Sequence, residues 1–227
     1  MKTIFILPLF LIACTIRLQA QDVELTVMYD RTDALQSIPD WKQVKDYFGL
    51  KANKWKGVIC TLLPITDIRL NKEYKVSIPA RNQWFSNELE RNGEIKKFQK
   101  DIDNALMQLE AIPVGKLQSS IYIPLARKLN EMSERKTCKG ELFIYSDMME
   151  HTTGISFYNQ KTLRTIKENP AFITSYLEKQ CAMKSLCGIT IHIFYLPETV
   201  QQDEQFEIVS QFFKNMWEGK GATVLIN

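Results

Sequence analysis

Three short segments carry oxygen-bearing side chains of the kind that hold a hard cation. Asp30-Arg31-Thr32-Asp33-Ala34 offers carboxylates and a hydroxyl, Ser146-Asp147-Met148 another carboxylate, and Gln118-Ser119-Ser120-Ile121 two hydroxyls where a helical pattern opens. Magnesium takes oxygen ligands in near-octahedral geometry and keeps several waters. Asp30, Thr32, Ser119 and Asp147, converging from separate loops, would supply such a shell, with Asp33 or a water completing it and one position open for a partner's carboxylate. The same residues also suit plainer work: Asp30 and Asp147 capping turns and helix starts, and Ser119 serving as an N-cap.

Other chemistries find less material. The chain has only two histidines, His151 and His192, which excludes a multi-histidine metal site. His192 lies among Ile189, Ile191, Ile193 and Phe194 and reads as a packed or face residue of a strand; His151 reads as a loop residue near the proposed site face. The chain contains no G-x-S-x-G elbow, dinucleotide fingerprint or P-loop. No enzyme is therefore expected. Lys and Arg number 29 against 26 Asp and Glu; setting aside Lys2 and Arg17 in the leader leaves 27 − 26 = +1. That balance offers no footprint for nucleic acid, and Lys96, Lys97 and Lys100 read as a solvated helix face.

Strand and helix patterns alternate along the chain. Val23 to Tyr29, Gly57 to Pro64, Glu73 to Pro79, Glu141 to Ser146, Gly188 to Leu196 and Thr223 to Ile226 read as strands. Helices are expected at Trp41 to Leu50, Asn87 to Ala111, Ser119 to Met132, Gln160 to Lys179 with a restart at Asn169-Pro170, and Val200 to Gly219. The order implies an α/β fold: a doubly wound, mostly parallel six-stranded sheet with helices on both faces. The third strand alternates and ends in proline, which suits an antiparallel edge. The first, second, fourth and fifth strands are apolar enough for burial on both faces. Trp41, Trp84 and Trp217 are expected to pack at helix starts or ends. Ligands of such sheets bind at the carboxyl ends of strands, where strand order reverses. That places the segments after strands one and four at the site.

With these elements in order, the chain resembles a von Willebrand factor A-type (vWA) domain, in particular its divergent bacterial exported members. The resemblance covers roughly Asp22 to Asn227, and the phrase FIYSDMMEH is similar to the fourth-strand segment of such members. It implies a metal-ion-dependent adhesion site, usually holding magnesium. Asp30 matches the first Asp of the D-x-S-x-S loop, Thr32 its first hydroxyl, Ser119 the Thr before a helix, and Asp147 the Asp after the fourth strand. Ala34 stands where the second Ser belongs, and Met148 replaces the usual Gly. The implied function is binding of a protein partner; a metal-free, degenerate domain serving as a structural or assembly component of a bacterial envelope complex is the alternative.

The N-terminus reads as a targeting segment. Met1-Lys2 is a positive start, and Thr3 to Ala13 is apolar but too short to span a bilayer. Residues 1–20 are expected to be a signal peptide, leaving 21–227 as a single domain. The alternative is a lipoprotein signal: Leu11-Ile12-Ala13-Cys14 resembles a lipobox, with Cys14 lipidated. Either route puts the domain outside the cytoplasm, periplasmic or secreted, and touching a membrane only through that lipid anchor. In a compartment that permits disulfides, Cys181 and Cys187 are the obvious pair among Cys60, Cys138, Cys181 and Cys187, with Cys60 buried inside a strand.

Overall fold

The structure is a computed structural model, and it describes residues 23–31, 39–65, 72–112, 119–135 and 139–227. The leader, Cys14, Thr32, Asp33, Ala34 and Cys138 lie outside the described residues. Strands β1 (Val23–Asp30), β2 (Val58–Ile65), β3 (Tyr74–Ile78), β4 (Lys139–Tyr145), β5 (Ile189–Phe194) and β6 (Thr223–Ile226) form one sheet in the order β3-β2-β1-β4-β5-β6. All neighbours are parallel except β2 and β3, which pair antiparallel with Val58 opposite Ile78. The expected α/β architecture, the central β1–β4 pair and the antiparallel edge are therefore all present.

Local chemistry sets the helix starts. Asp40 caps α1 (Trp41–Tyr47), accepting from the Lys42 and Gln43 N–H groups at 2.9 and 3.2 Å. Asn87 does the same for α2 (Glu88–Glu110). Pro170, which needs no N–H partner at the first helical position, separates α4 (Gln160–Glu168) from α5 (Pro170–Gln180). Thr199 and Gln202 form a capping box on α6 (Val200–Glu218).

The sheet buries a cluster on each face. Leu25, Val27 and Tyr29 pack with Phe48, Phe98 and Ile102 beneath α1 and α2. Met28, Ile144 and Ile191 pack with Leu129, Phe213 and Trp217 beneath α6 and α3 (Tyr122–Glu134). The cluster under α1 and α2 ends at Phe143, Tyr145 and the partly buried Phe194. Burial of β5 on both faces is therefore not observed: Ile189, Ile191 and Ile193 are buried, whereas Thr190, His192 and Phe194 are half-exposed. His192 is a face residue as expected, with Nε2 3.0 Å from Glu141 Oε2 and its ring stacked on Phe194.

Two further expectations are corrected. Cys181 and Cys187 are free thiols in the structure, so the disulfide expected between them is absent from it; Cys60 is buried and free as expected. Trp84 does not pack but stands 86% exposed, because it sits in a turn that precedes α2 rather than on the helix itself.

Candidate functional site

Tyr29 lies opposite Tyr145 in the β1–β4 register, so Asp30 and Ser146 leave the sheet side by side. The Ser146 hydroxyl accepts from the Met148 N–H at 2.9 Å and donates to Asp30 Oδ2 at 3.2 Å. Both side chains are buried. Met148 between them adopts a left-handed backbone, φ 62°, at the position where a glycine was expected from the resemblance. For a methionine this costs about 1 kcal/mol or more, which its fully buried side chain offsets.

The helix start opposite is built differently from expectation. Ser119 does not cap α3. Its N–H and C=O are taken up in a two-residue antiparallel bridge with His151, at 2.9 and 2.7 Å. The capping falls to Glu150, which is 1% exposed and accepts from the Ile121 and Tyr122 N–H groups at 2.7 and 2.8 Å through Oε2. Burial pushes the Glu150 carboxyl above its usual range; the two N–H groups oppose that shift, and the Asp30 charge nearby adds to it. The Ser120 hydroxyl lies against the Glu150 carboxylate, close enough to favour its charged form without full hydrogen-bond geometry. The Ser119 hydroxyl is buried and has no partner among the described residues.

Asp147 takes another direction. One carboxylate oxygen accepts from the Met149 N–H and the other from the Tyr158 hydroxyl, each at 2.9 Å. With Tyr195, Gln202, Gln205 and Phe206 it lines a small pocket between the β4 loop and the start of α6. Of the proposed ligands, then, Asp30 and Ser119 belong to the buried crevice between β1, β4 and α3, Asp147 is engaged with Tyr158, and Thr32 lies outside the described residues. Among the described residues no three His, Cys, Asp or Glu side chains are grouped to hold a metal. The described donors Asp30 and Ser119 leave a six-oxygen magnesium shell incomplete by themselves.

What the crevice offers is a concentration of buried oxygen acceptors and hydroxyls; on the loop that follows Glu150, the His151 and Tyr158 rings meet edge to face at 5.9 Å. His151 Nδ1 lies 3.0 Å from the Ser156 hydroxyl, a contact near the surface rather than in the buried cluster. Glu150 and Tyr158 were missed from sequence. The signal for Glu150 was an acid embedded in the apolar run Met148-Met149 directly after a strand; the one for Tyr158 was too distant along the chain to connect with Asp147.

No protein-family model matches the chain, and no curated protein matches it. Among solved structures, the conserved hypothetical protein BatB from Bacteroides thetaiotaomicron is similar over 90% of this chain and 90% of its own, at 10% identity and a TM-score of 0.39. A likeness of that degree carries no functional inference.

Proposed function

We propose that this chain is an exported vWA-like module, without enzymatic activity, that binds a protein partner at the carboxyl ends of β1 and β4. The observation that carries this reading is the placement of Asp30, Ser146, Glu150 and the Ser119 hydroxyl, unpartnered among the described residues, at the point where strand order reverses. Burying a polar group costs stability unless it is satisfied, and the Ser119 hydroxyl, buried with no partner among the described residues, favours recognition over packing. The vWA assignment is supported by the strand order, the antiparallel edge strand and the left-handed turn at Met148. Export, to the periplasm or beyond the cell, rests on the leader. The partner is recovered by co-purification from native envelopes; His151→Ala and Tyr158→Ala should each weaken its recovery, and unchanged recovery in both would move the interface elsewhere.

A second reading keeps magnesium. It is favoured by the Ser119 hydroxyl, which lacks a partner among the described residues, and by Asp30, whose charge acts on Glu150 at the same helix start. These two residues and Thr32 would hold the ion, and it would supply a Lewis-acidic position for a partner's carboxylate. A ligand that binds only the native state at a hundredfold excess over Kd adds about 2.7 kcal/mol of apparent stability. A thermal shift in magnesium that chelator reverses and Asp30→Ala abolishes would establish this reading; no shift leaves the metal-free module.

A further inference from the structure

The opposite end of the sheet carries a feature the crevice does not explain. Trp84, Phe85 and Leu89 are 86, 90 and 80% exposed, an apolar cluster in the turn after β3 and the first turn of α2. The turn is braced. Asn82 accepts from the Trp84 N–H at 2.9 Å, and the Arg81 N–H donates to the Trp55 carbonyl at 2.8 Å. Arg91, 1% exposed, donates to the carbonyls of Lys54, Lys56 and Pro79 at 2.6 to 2.9 Å, tying the loop before β2 to the end of β3. The aromatic pair is thus held out into solvent by a built base.

Its position follows from register. Val23 pairs with Val58, and Val58 with Ile78, so the root of the cluster lies two strand spacings, about 10 Å, from the point where the chain enters the sheet. Between Cys14 and Val23 the sequence has eight residues, Thr15 to Asp22. At most about 3.6 Å per residue, they span no more than about 29 Å. A lipid on Cys14 would therefore reach the bilayer most directly from this end of the domain, the crevice end lying a further strand length away along β1. Tryptophan and phenylalanine are side chains that seat at the membrane–water interface; Arg81 beside them is engaged by Glu94 at 2.6 Å and Glu90 at 3.6 Å, so the seating rests on the apolar side chains.

We propose that the strand-amino end is a membrane-docking surface, with Trp84 and Phe85 seated in the phospholipid interface and the crevice directed away from it. This is independent of what the crevice binds. The test uses protein processed from the full chain and vesicles of phosphatidylethanolamine and phosphatidylglycerol with brominated acyl chains, reading tryptophan emission. Wild type should be quenched, and Trp84→Ala should lose most of that quenching with an unchanged melting temperature, since the side chain packs on nothing. Trp84→Ser with Phe85→Ser should weaken vesicle partitioning of the Cys14→Ala protein, which has no lipid anchor, by at least about tenfold. Absence of quenching in wild type, or equal quenching in Trp84→Ala, would overturn the proposal. So would a concentration-dependent dimer that Phe85→Ser dissolves and that shows no vesicle binding.

Discussion

The two ends of the same sheet treat buried charge in opposite ways. At the amino ends of the strands, Arg91 spends its guanidinium on three carbonyls and on Glu94, 2.8 Å away, with all three nitrogens engaged. At the carboxyl ends, Asp30 and Glu150 bring like charges into one buried region, and the hydroxyl of Ser119 finds no partner among the described residues. The first arrangement is a structural brace. The second leaves the Ser119 hydroxyl unsatisfied among the described residues, and the proposed binding face rests on that difference.

Removing the brace should give the largest effect. Arg91→Ala leaves three carbonyls without their donor and should cost about 3–5 kcal/mol in urea unfolding. If instead it costs less than Glu150→Ala, the contrast between the ends fails. Glu150→Ala exposes two helix N–H groups without an acceptor, an expected loss of about 2 kcal/mol, whereas Glu150→Gln, which keeps an acceptor, should lose less. Met148→Gly separates strain from burial. It removes about 1 kcal/mol of left-handed strain but a larger buried side-chain contribution, so a net loss of about 1–3 kcal/mol is expected; a gain would mean that strain dominates the turn.

The smallest effect lies in the charge itself. Burial is the main cause raising the Glu150 carboxyl, and the folded value lies above the unfolded one. Its contribution to stability is therefore fully present below the unfolded pKa and is lost as pH rises through the folded pKa. Glu24, buried at the other end of β1, shifts in the same direction for the same main reason. Glu150→Gln should accordingly remove part of the stability loss between acid and neutral pH, and Glu24→Gln another part. Asp30→Asn keeps an acceptor for Ser146 but removes the neighbouring charge, so it should stabilise the neutral-pH protein by under about 1 kcal/mol. Thermal melts across pH measure all three.

Much of this architecture was legible beforehand because it rests on local signals. The apolar runs of β1, β2 and β4, the alternation of β3 and the proline restart at Pro170 each act within a few residues. The site was legible only in part. Asp30 was placed by its position after a strand, but the rotation of Asp147 depends on Tyr158, eleven residues on, and the capping of α3 depends on Glu150, 28 residues beyond Tyr122. A side chain reaching across from another loop leaves no periodic trace. Trp84 was misplaced for a related reason: large apolar residues are usually buried, and nothing within the turn itself marks one that is held outward.

The most direct test of partner binding at the crevice end is photo-crosslinking in native envelopes, with a photoreactive residue replacing His151 at the crevice mouth or Lys97 on the outward face of α2, both exposed positions. The expected result is a discrete adduct with a second polypeptide from position 151 and none from position 97, whether or not magnesium is chelated. No adduct from position 151, or the same adduct from both positions, would contradict a binding face at the carboxyl ends of β1 and β4.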